Sequence, residues 1–518
     1  MKSALRIVVI SGVALAGVAW MILGLLTPID YWDGMNFVLQ SRRLTDPQFS
    51  AIPFDAWRPR GLVALLSGFD WVTSHLTHSF PSVAQYHVFM ALLTVAFLAV
   101  WNVTNSRLWG RTPAFLATLF LLATDLVHHY AASLLADVTT SLYWGLALLV
   151  FVYRAEEEFP RGRAILFGAL GAFCGLSKFH FLLLLPMTVM IWAAADWKKR
   201  ARALGWALLG YFLALEAGLR WLSGNETGIL GQGRSLLEQV KVVTRLHRPV
   251  ELYFEGLFWM YGPIFWMLIL VGIINSRRTL ILPARSRAVL TGALGLAILT
   301  QIISQREIRY LVPLLPLFLG WVAAVMVQCL RQWPAAARIA WMGLWGIALL
   351  YPVMRSYRDL RMSFTGTFYQ NARQESDVYW AYFGLPSLKG NRCGKIEACL
   401  FSLKSPDWEY PKDEYYRSYD LGPHYEFFTR LPVSLHSCGL NQRLEKLTSE
   451  DTCYVLPYQD AKESSPYLAV IKPLGTGWTW NQKKLLLSLS AHPREGTHCE
   501  QERCWSVAPF FRASPREY

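Results

Sequence analysis

Ser304-Gln305-Arg306-Glu307-Ile308-Arg309-Tyr310-Leu311-Val312-Pro313 sets Arg306, Glu307 and Arg309 between two long apolar segments, 288–303 and 310–329. Charge in that setting is costly unless it is paired or put to use. The stretch therefore reads as the edge of a membrane. Working outward, apolar runs of about 17–25 residues recur along the first two thirds of the chain, which identifies a polytopic α-helical membrane protein. The spans read as 5–26, 84–104, 112–127, 136–153, 164–177, 180–195, 203–222, 257–275, 288–303, 310–329 and 339–355, about eleven transmembrane helices. Lys2 and Arg6 precede the first run and no small-residue cleavage site follows it, so it reads as an uncleaved first helix.

The chain of 518 residues is 53% hydrophobic and carries a net charge of +14. Most of that charge flanks apolar runs, and no recognised nucleic-acid motif is present, so membrane lipids take precedence over nucleic acid as the partner. Arg107, Arg111, Arg154, Arg161, Arg163, Lys198, Lys199, Arg200, Arg202, Arg277, Arg278, Arg285, Arg287, Arg331 and Arg338 fall in alternate loops. The excess of basic residues on the inner side places the N-terminus inside and the C-terminus outside. The interval 164–195 is read as two short spans meeting at Lys178. A single long span would bury Lys178 in the membrane and reverse everything after it.

Two parts follow: a membrane domain, 1–356, and a C-terminal soluble α/β domain, 357–518, on the outer face. Cys174 and Cys329 lie in apolar spans and read as core thiols. Cys393, Cys399, Cys438, Cys453, Cys499 and Cys504 all follow the last span. An even set in a polar segment points to disulfides and an oxidising compartment, without choosing the pairing. Zinc on Cys499, Cys504 and His498 lacks a standard ligand spacing, and no metal or cofactor is expected. Strand-like runs at 453–456 and 467–471 alternate with a helix-like piece at 441–449. The outer loops 27–83 and 223–256 are long, and Arg60–Trp71 is amphipathic enough to lie along a membrane surface.

The chemistry gathers on that outer face. Asp30 and Asp33 follow the first span. A carboxylate there serves as a general base against a hydroxyl, or as a cap on the helix running through 35–43. Arg306 and Arg309 present guanidinium groups suited to phosphate, with Glu307 to orient one of them; the other reading is a snorkelling cluster that ends a helix. Arg58 and Arg60, in Trp57-Arg58-Pro59-Arg60, are phosphate ligands or surface anchors. Lys178 can meet the same anion from another helix end. His128 and Asp137 are candidate pocket residues, because the adjacent rings of His128 and His129 diverge on a helix and do not form a zinc pair. Together an acid and a set of cations suit an anionic, lipid-linked substrate.

These residues resemble a known group. The chain looks like a GT-C glycosyltransferase and is most similar to the dolichyl-phosphate-mannose-dependent mannosyltransferases of N-glycan and GPI-anchor assembly. The family's acidic first-loop motif resembles the surroundings of Asp33, with Gly34 where the family often has Glu. Its second motif resembles Ala56-Trp57-Arg58-Pro59-Arg60-Gly61-Leu62. Its late His-Lys-Glu-x-Arg-Phe motif resembles Gln305-Arg306-Glu307-Ile308-Arg309-Tyr310, with Pro313 and Pro316 following. Leu135-Ala136-Asp137-Val138 and Gly175-Leu176-Ser177-Lys178 look like the broader GT-C pattern, while the Trp-Trp-Asp-Tyr-Gly motif of oligosaccharyltransferases is absent.

The resemblance implies an inverting glycosyltransferase, a hexosyltransferase of mannosyltransferase type. It would take a sugar from a polyprenyl-phosphate carrier and give it to a glycan, lipid or protein acceptor. Asp33 would be the base. Asp30, Arg58, Arg60, Lys178, Arg306, Glu307, Arg309, His128 and Asp137 would bind substrate. The competing readings are a flippase of lipid-linked glycans, which would show repeated halves and midplane charges, and a non-catalytic assembly protein. The expected site is a bacterial inner membrane with the active site facing the periplasm. An ER membrane facing the lumen has the same topology. Asn225-Glu226-Thr227 is a sequon in an outer loop, but no ER-retention signal ends the chain.

Overall fold

A computed structural model of the chain describes residues 2–26, 32–50, 60–153, 159–179, 183–194, 197–223, 251–276, 283–302 and 311–364, and in its last part 395–400, 433–437, 444–447, 452–459, 466–474, 478–480, 496–500 and 503–507. It divides into two compact units, Met1–Asp46 with Phe54–Thr365, and Pro47–Pro53 with Gly366–Tyr518.

The first unit is helical: α1 (Lys2–Leu26), α2 (Trp32–Thr45), α3 (Arg60–Thr77), α4 (Val83–Trp109), α5 (Arg111–Leu122), α6 (Asp125–Tyr130), α7 (Ala136–Val152), α8 (Arg161–Cys174), α9 (Leu184–Ala194), α10 (Trp197–Ser223), α11 (Glu251–Ser276), α12 (Ala284–Ile302), α13 (Leu315–Gln332) and α14 (Ala335–Phe364). A five-residue π-helical turn, Gly175–Phe179, continues from α8. Among the described residues, Ala4–Leu25, Val83–Trp109, Glu255–Ser276, Leu315–Gln332 and Ala335–Arg358 are long and apolar enough to cross a membrane. Arg111–Leu122, Ala136–Val152 and Leu184–Ala193 are shorter apolar helices. Ile7, Leu15, Leu213, Met267, Leu270 and Leu350 are exposed, as suits a hydrocarbon solvent. The chain is an integral membrane protein of helical type.

Local chemistry sets several helix boundaries. Ser82 and Gln85 form a reciprocal capping box at the start of α4, the Ser-x-x-Gln pattern that satisfies two free amides. Helix α3 buries Leu62, Val63, Leu66, Ser67 and Asp70 and turns Trp71, Val72 and Leu76 outward. That is the two-faced character its sequence predicts. Helices α8 and α9 are separate, with Lys178 in the interval between them.

The second unit contains β1 (Lys395–Leu400), β2 (Val433–Ser437), β3 (Leu444–Leu447), β4 (Thr452–Gln459), β5 (Pro466–Leu474), β6 (Trp478–Trp480), β7 (Gly496–Glu500) and β8 (Arg503–Val507). Six strands form one mixed sheet in the order β2-β1-β4-β5-β8-β7, and β3 pairs with β6. The strand-like runs of the sequence fall within β4 and β5. The helix expected over 441–449 is instead strand β3 in its centre, Leu444–Leu447. The spacing of Leu444 and Leu447 imitates a helical turn, but each lies opposite a tryptophan of β6, Trp480 and Trp478, across a register irregularity. Strand pairing with β6, distant in sequence, overrides the local helical pattern. Among the described side chains there is no disulfide, and Cys174 and Cys329 are free and buried.

Candidate active site

Five of the ten residues singled out from the sequence fall within the described chain. Asp33 is the second residue of α2, Arg60 opens α3, Asp137 is the second residue of α7, Lys178 sits in the π turn, and His128 lies in α6. Asp30, Arg58, Arg306, Glu307 and Arg309 lie outside the described residues, as do the side chains of Asp33 and Lys178.

The elements that carry these motifs meet one another. The start of α3 lies directly on the π turn. A Cβ at Gly61 would fall on the Ser177 hydroxyl, 2.9 Å from the Ser177 amide nitrogen and 3.0 Å from the Phe173 carbonyl oxygen. Only glycine permits that approach. Arg60, buried at the first position of α3, is thus set beside the turn that carries Lys178. The end of α8 is tied to the beginning of α7, where the Cys174 thiol donates to the Thr140 carbonyl at 3.3 Å. One residue on, Ser141 Oγ donates to the Val312 carbonyl at 3.3 Å, and Asn105 Nδ2 holds the Pro316 carbonyl at 3.0 Å. The backbone that follows the charged stretch 306–309 is therefore fastened within one turn of Asp137.

The opening of α7 is polar and buried: Asp137, Thr139, Thr140 and Ser141 are all sequestered. Acid in a first turn is favoured by the helix dipole. A run of buried polar groups at the head of an apolar helix marks a polar interior in a membrane protein. Sequence reasoning picked out Asp137 and passed over its hydroxyl neighbours; the signal was the unbroken Thr-Thr-Ser run.

A second polar centre joins the two helices of the first long loop, α2 and α3, to the start of α4. Asp70 of α3 accepts from Ser41 at 2.5 Å, from Thr45 at 3.2 Å and from the Tyr86 hydroxyl. Fully buried Arg42 stands 3.9 Å from Asp70, donates to the Tyr86 hydroxyl at 2.9 Å and to the Pro81 carbonyl at 2.7 Å, and lies 4.1 Å over the Phe80 ring. Burial pushes the Asp70 carboxyl above its ordinary range, against the opposing pull of Ser41, Tyr86, Arg42 and Thr45. This network locks α2, whose first turn holds Asp33, to α3 and α4. It was not foreseen, although an aspartate inside the apolar stretch 62–72 was visible.

His128 is built into the scaffold. The Trp20 indole donates to its Nδ1 at 3.1 Å, so the ring proton sits on Nε2 and points to the Leu122 carbonyl at 2.6 Å. Burial holds its pKa below the usual imidazole value, and that of His129 at about 4. Asp125, in the first turn of the same helix, pairs with Arg355 at 2.9 Å. Among the described residues there is no grouping of His, Cys, Asp and Glu able to hold a metal ion.

No family model matches the chain. No curated protein matches it either. Solved structures do. The crystal structure of ArnT from Cupriavidus metallidurans bound to undecaprenyl phosphate is similar over 98% of this chain and 99% of ArnT, with a TM-score of 0.58 at 12% identity. The apo form of ArnT gives a TM-score of 0.55 at 14% identity, covering 98% of each chain. The archaeal oligosaccharyltransferase AglB from Archaeoglobus fulgidus, in complex with an inhibitory peptide and a dolichol-phosphate, gives 0.51 at 10% identity over 87% of this chain and 69% of AglB. At these identities the likeness is one of fold. It agrees with the GT-C expectation at that level and lends nothing to the narrower mannosyltransferase family.

Proposed function

We propose that the chain is an inverting glycosyltransferase that moves a sugar from a polyprenyl-phosphate carrier to an acceptor hydroxyl on the outer face of the membrane. One observation carries this reading: Gly61, next to Arg60, lies on Ser177, next to Lys178, while Ser141, four residues after Asp137, holds the Val312 carbonyl that follows the 306–309 charges. The described elements that border these cationic segments thus meet one another, which supports a site for a lipid phosphate. The relatives by fold support the ligand class, since one bound undecaprenyl phosphate and another dolichol-phosphate.

In the reaction the acceptor oxygen attacks the anomeric carbon, and the bond from that carbon to the phosphate oxygen breaks with inversion. Asp33 takes the acceptor proton, with Asp30 as its neighbour. Arg306, Arg309, Lys178, Arg58 and Arg60 stabilise the negative charge that grows on the departing polyprenyl phosphate. Glu307 orients a guanidinium, and Asp137 lines the pocket. His128 serves as a brace behind the site. The membrane domain, 1–356, carries the chemistry. The part from 357 to 518 faces the same outer side, the periplasm of a bacterial inner membrane. Mannose is the first donor sugar to try.

The test is transfer of labelled sugar from a panel of polyprenyl-phosphate sugars in membranes holding the wild-type chain or Asp33→Asn. Loss of transfer with the variant still folded supports the reading and names the donor. Translocation of a lipid-linked glycan without a new glycosidic bond would overturn it in favour of a flippase.

A further inference from the structure

Strands β7 and β8 run antiparallel with only Gln501 and Glu502 between them, and Cys499 stands opposite Cys504 in their register. Opposed residues of an antiparallel pair have Cα atoms about 4.5 Å apart at a non-hydrogen-bonded position and about 5.5 Å apart at a hydrogen-bonded one. A disulfide spans about 4.4–6.8 Å between Cα atoms, so both positions accept a bridge.

The register also disfavours the alternatives. His498 is opposite Trp505, and residues alternate between faces along a strand. His498 therefore occupies the face away from Cys499 and Cys504, which breaks up a Cys-His-Cys zinc site. Cys453 of β4 is opposite Ile396 of β1, which leaves Cys399 three positions further along that strand, roughly 10 Å away. Cys504 lies opposite Leu474 of β5, and β5 separates β8 from β4 and its Cys453.

We infer that Cys499 and Cys504 form a cross-strand disulfide that staples β7, an edge strand of the six-stranded sheet, to β8. Two thiols give one sulfur–sulfur bond. Their two protons and two electrons pass to the disulfide of a thiol-exchange protein, which leaves as a dithiol. An exposed edge is a site for unwanted strand pairing, and a covalent tie keeps this short strand in place. The inference rests on the outward placement of this unit proposed above, where such an oxidant is at hand.

The test uses the full-length protein, extracted from membranes in N-ethylmaleimide without reductant, digested and weighed. The fragment holding both cysteines should be two hydrogens lighter than the dithiol and should take up maleimide only after reduction. In Cys504→Ser, Cys499 should become reactive from the start. Maleimide on both thiols before reduction overturns the pairing. So does a cross-link of either cysteine to Cys393, Cys399, Cys438 or Cys453, or protection lost on removing bound zinc. Protease added to intact cells reports the side on which the unit lies. Free thiols on an outward unit overturn the disulfide alone, whereas free thiols on an inward unit overturn the placement as well.

Discussion

Arg355 donates from Nη1 to the Trp259 carbonyl at 2.6 Å, and Trp259 is the residue four before Pro263. A proline has no amide, so in a continuous helix that carbonyl would go unpaired. Helix α11 also turns at Gly262, whose backbone is non-helical with φ 75°. The guanidinium of α14 supplies the missing donor and spends its other end on Asp125 at 2.9 Å. One side chain thus joins the break in α11 to the first turn of α6.

Arg355→Ala should lower the unfolding free energy by about 2 kcal/mol, the scale of a hydrogen bond to a charged group. Arg355→Lys should recover less than half of it, because a single ammonium does not replace a planar fork across two partners. Thermal unfolding of the detergent-solubilised protein measures both. Equal stability of all three forms would show the bridge to be idle.

Asp70→Asn should cost about 2 kcal/mol, since an amide nitrogen in place of one carboxyl oxygen cannot accept the hydroxyls that Ser41 and Thr45 both give to that oxygen. The effect depends on pH. The folded state holds the Asp70 proton above the ordinary value of 3.8, chiefly through burial. Its contribution is therefore present in full below that value and is lost as pH rises through the raised pKa. The gap between wild type and variant should narrow on going up from pH 4. A gap that widens would reverse the sign assigned to Asp70.

His128 and His129 act in the opposite direction. Burial lowers both, with His129 at about 4, so the unfolded chain takes up protons first as pH falls below 6.5. Each group then removes stability by up to about 1.4 kcal/mol per pH unit. His128→Gln retains an acceptor for Trp20 and should remove roughly one proton's share of the decline between pH 6.5 and 5, leaving that of His129. Melting temperature against pH reads this directly; an unchanged slope would mean that His128 does not titrate there.

Gly61→Ala should lower sugar transfer by between about ten- and a hundredfold, the scale of a misplacement near 1 Å at a reacting site. The new methyl must push the Ser177 backbone, and with it the turn bearing Lys178. Ser177→Gly in the same chain removes the hydroxyl and should restore part of the loss. Hydrogen exchange across 171–179 should rise in the single variant and fall back in the double. Unaltered exchange in Gly61→Ala would mean that the turn absorbs the methyl.

The amphipathic pattern of 60–71 and the apolar runs were legible because helix period and membrane thickness are written into local composition. The Ser82–Gln85 capping box is of the same kind, with donor and acceptor three residues apart. The piece around 444–447 misled for the converse reason: its partners, Trp478 and Trp480, are more than thirty residues away, and nothing nearby announces them.

The site divides along the same line. Asp33, Arg60, Asp137 and Lys178 stand out in the sequence because ionisable groups beside apolar spans are rare and costly. That Gly61 rests on Ser177, that Ser141 holds Val312 and that Asp70 gathers Ser41, Tyr86 and Arg42 were decided only when distant helices packed. A buried polar group takes whichever partner the fold brings within about 3 Å, and no local pattern encodes which one arrives. The amino-acid order determined the solvent this chain lives in and where its charges cluster along the chain. The packing decided which segments meet, because the contacts between them join side chains and carbonyls of different helices.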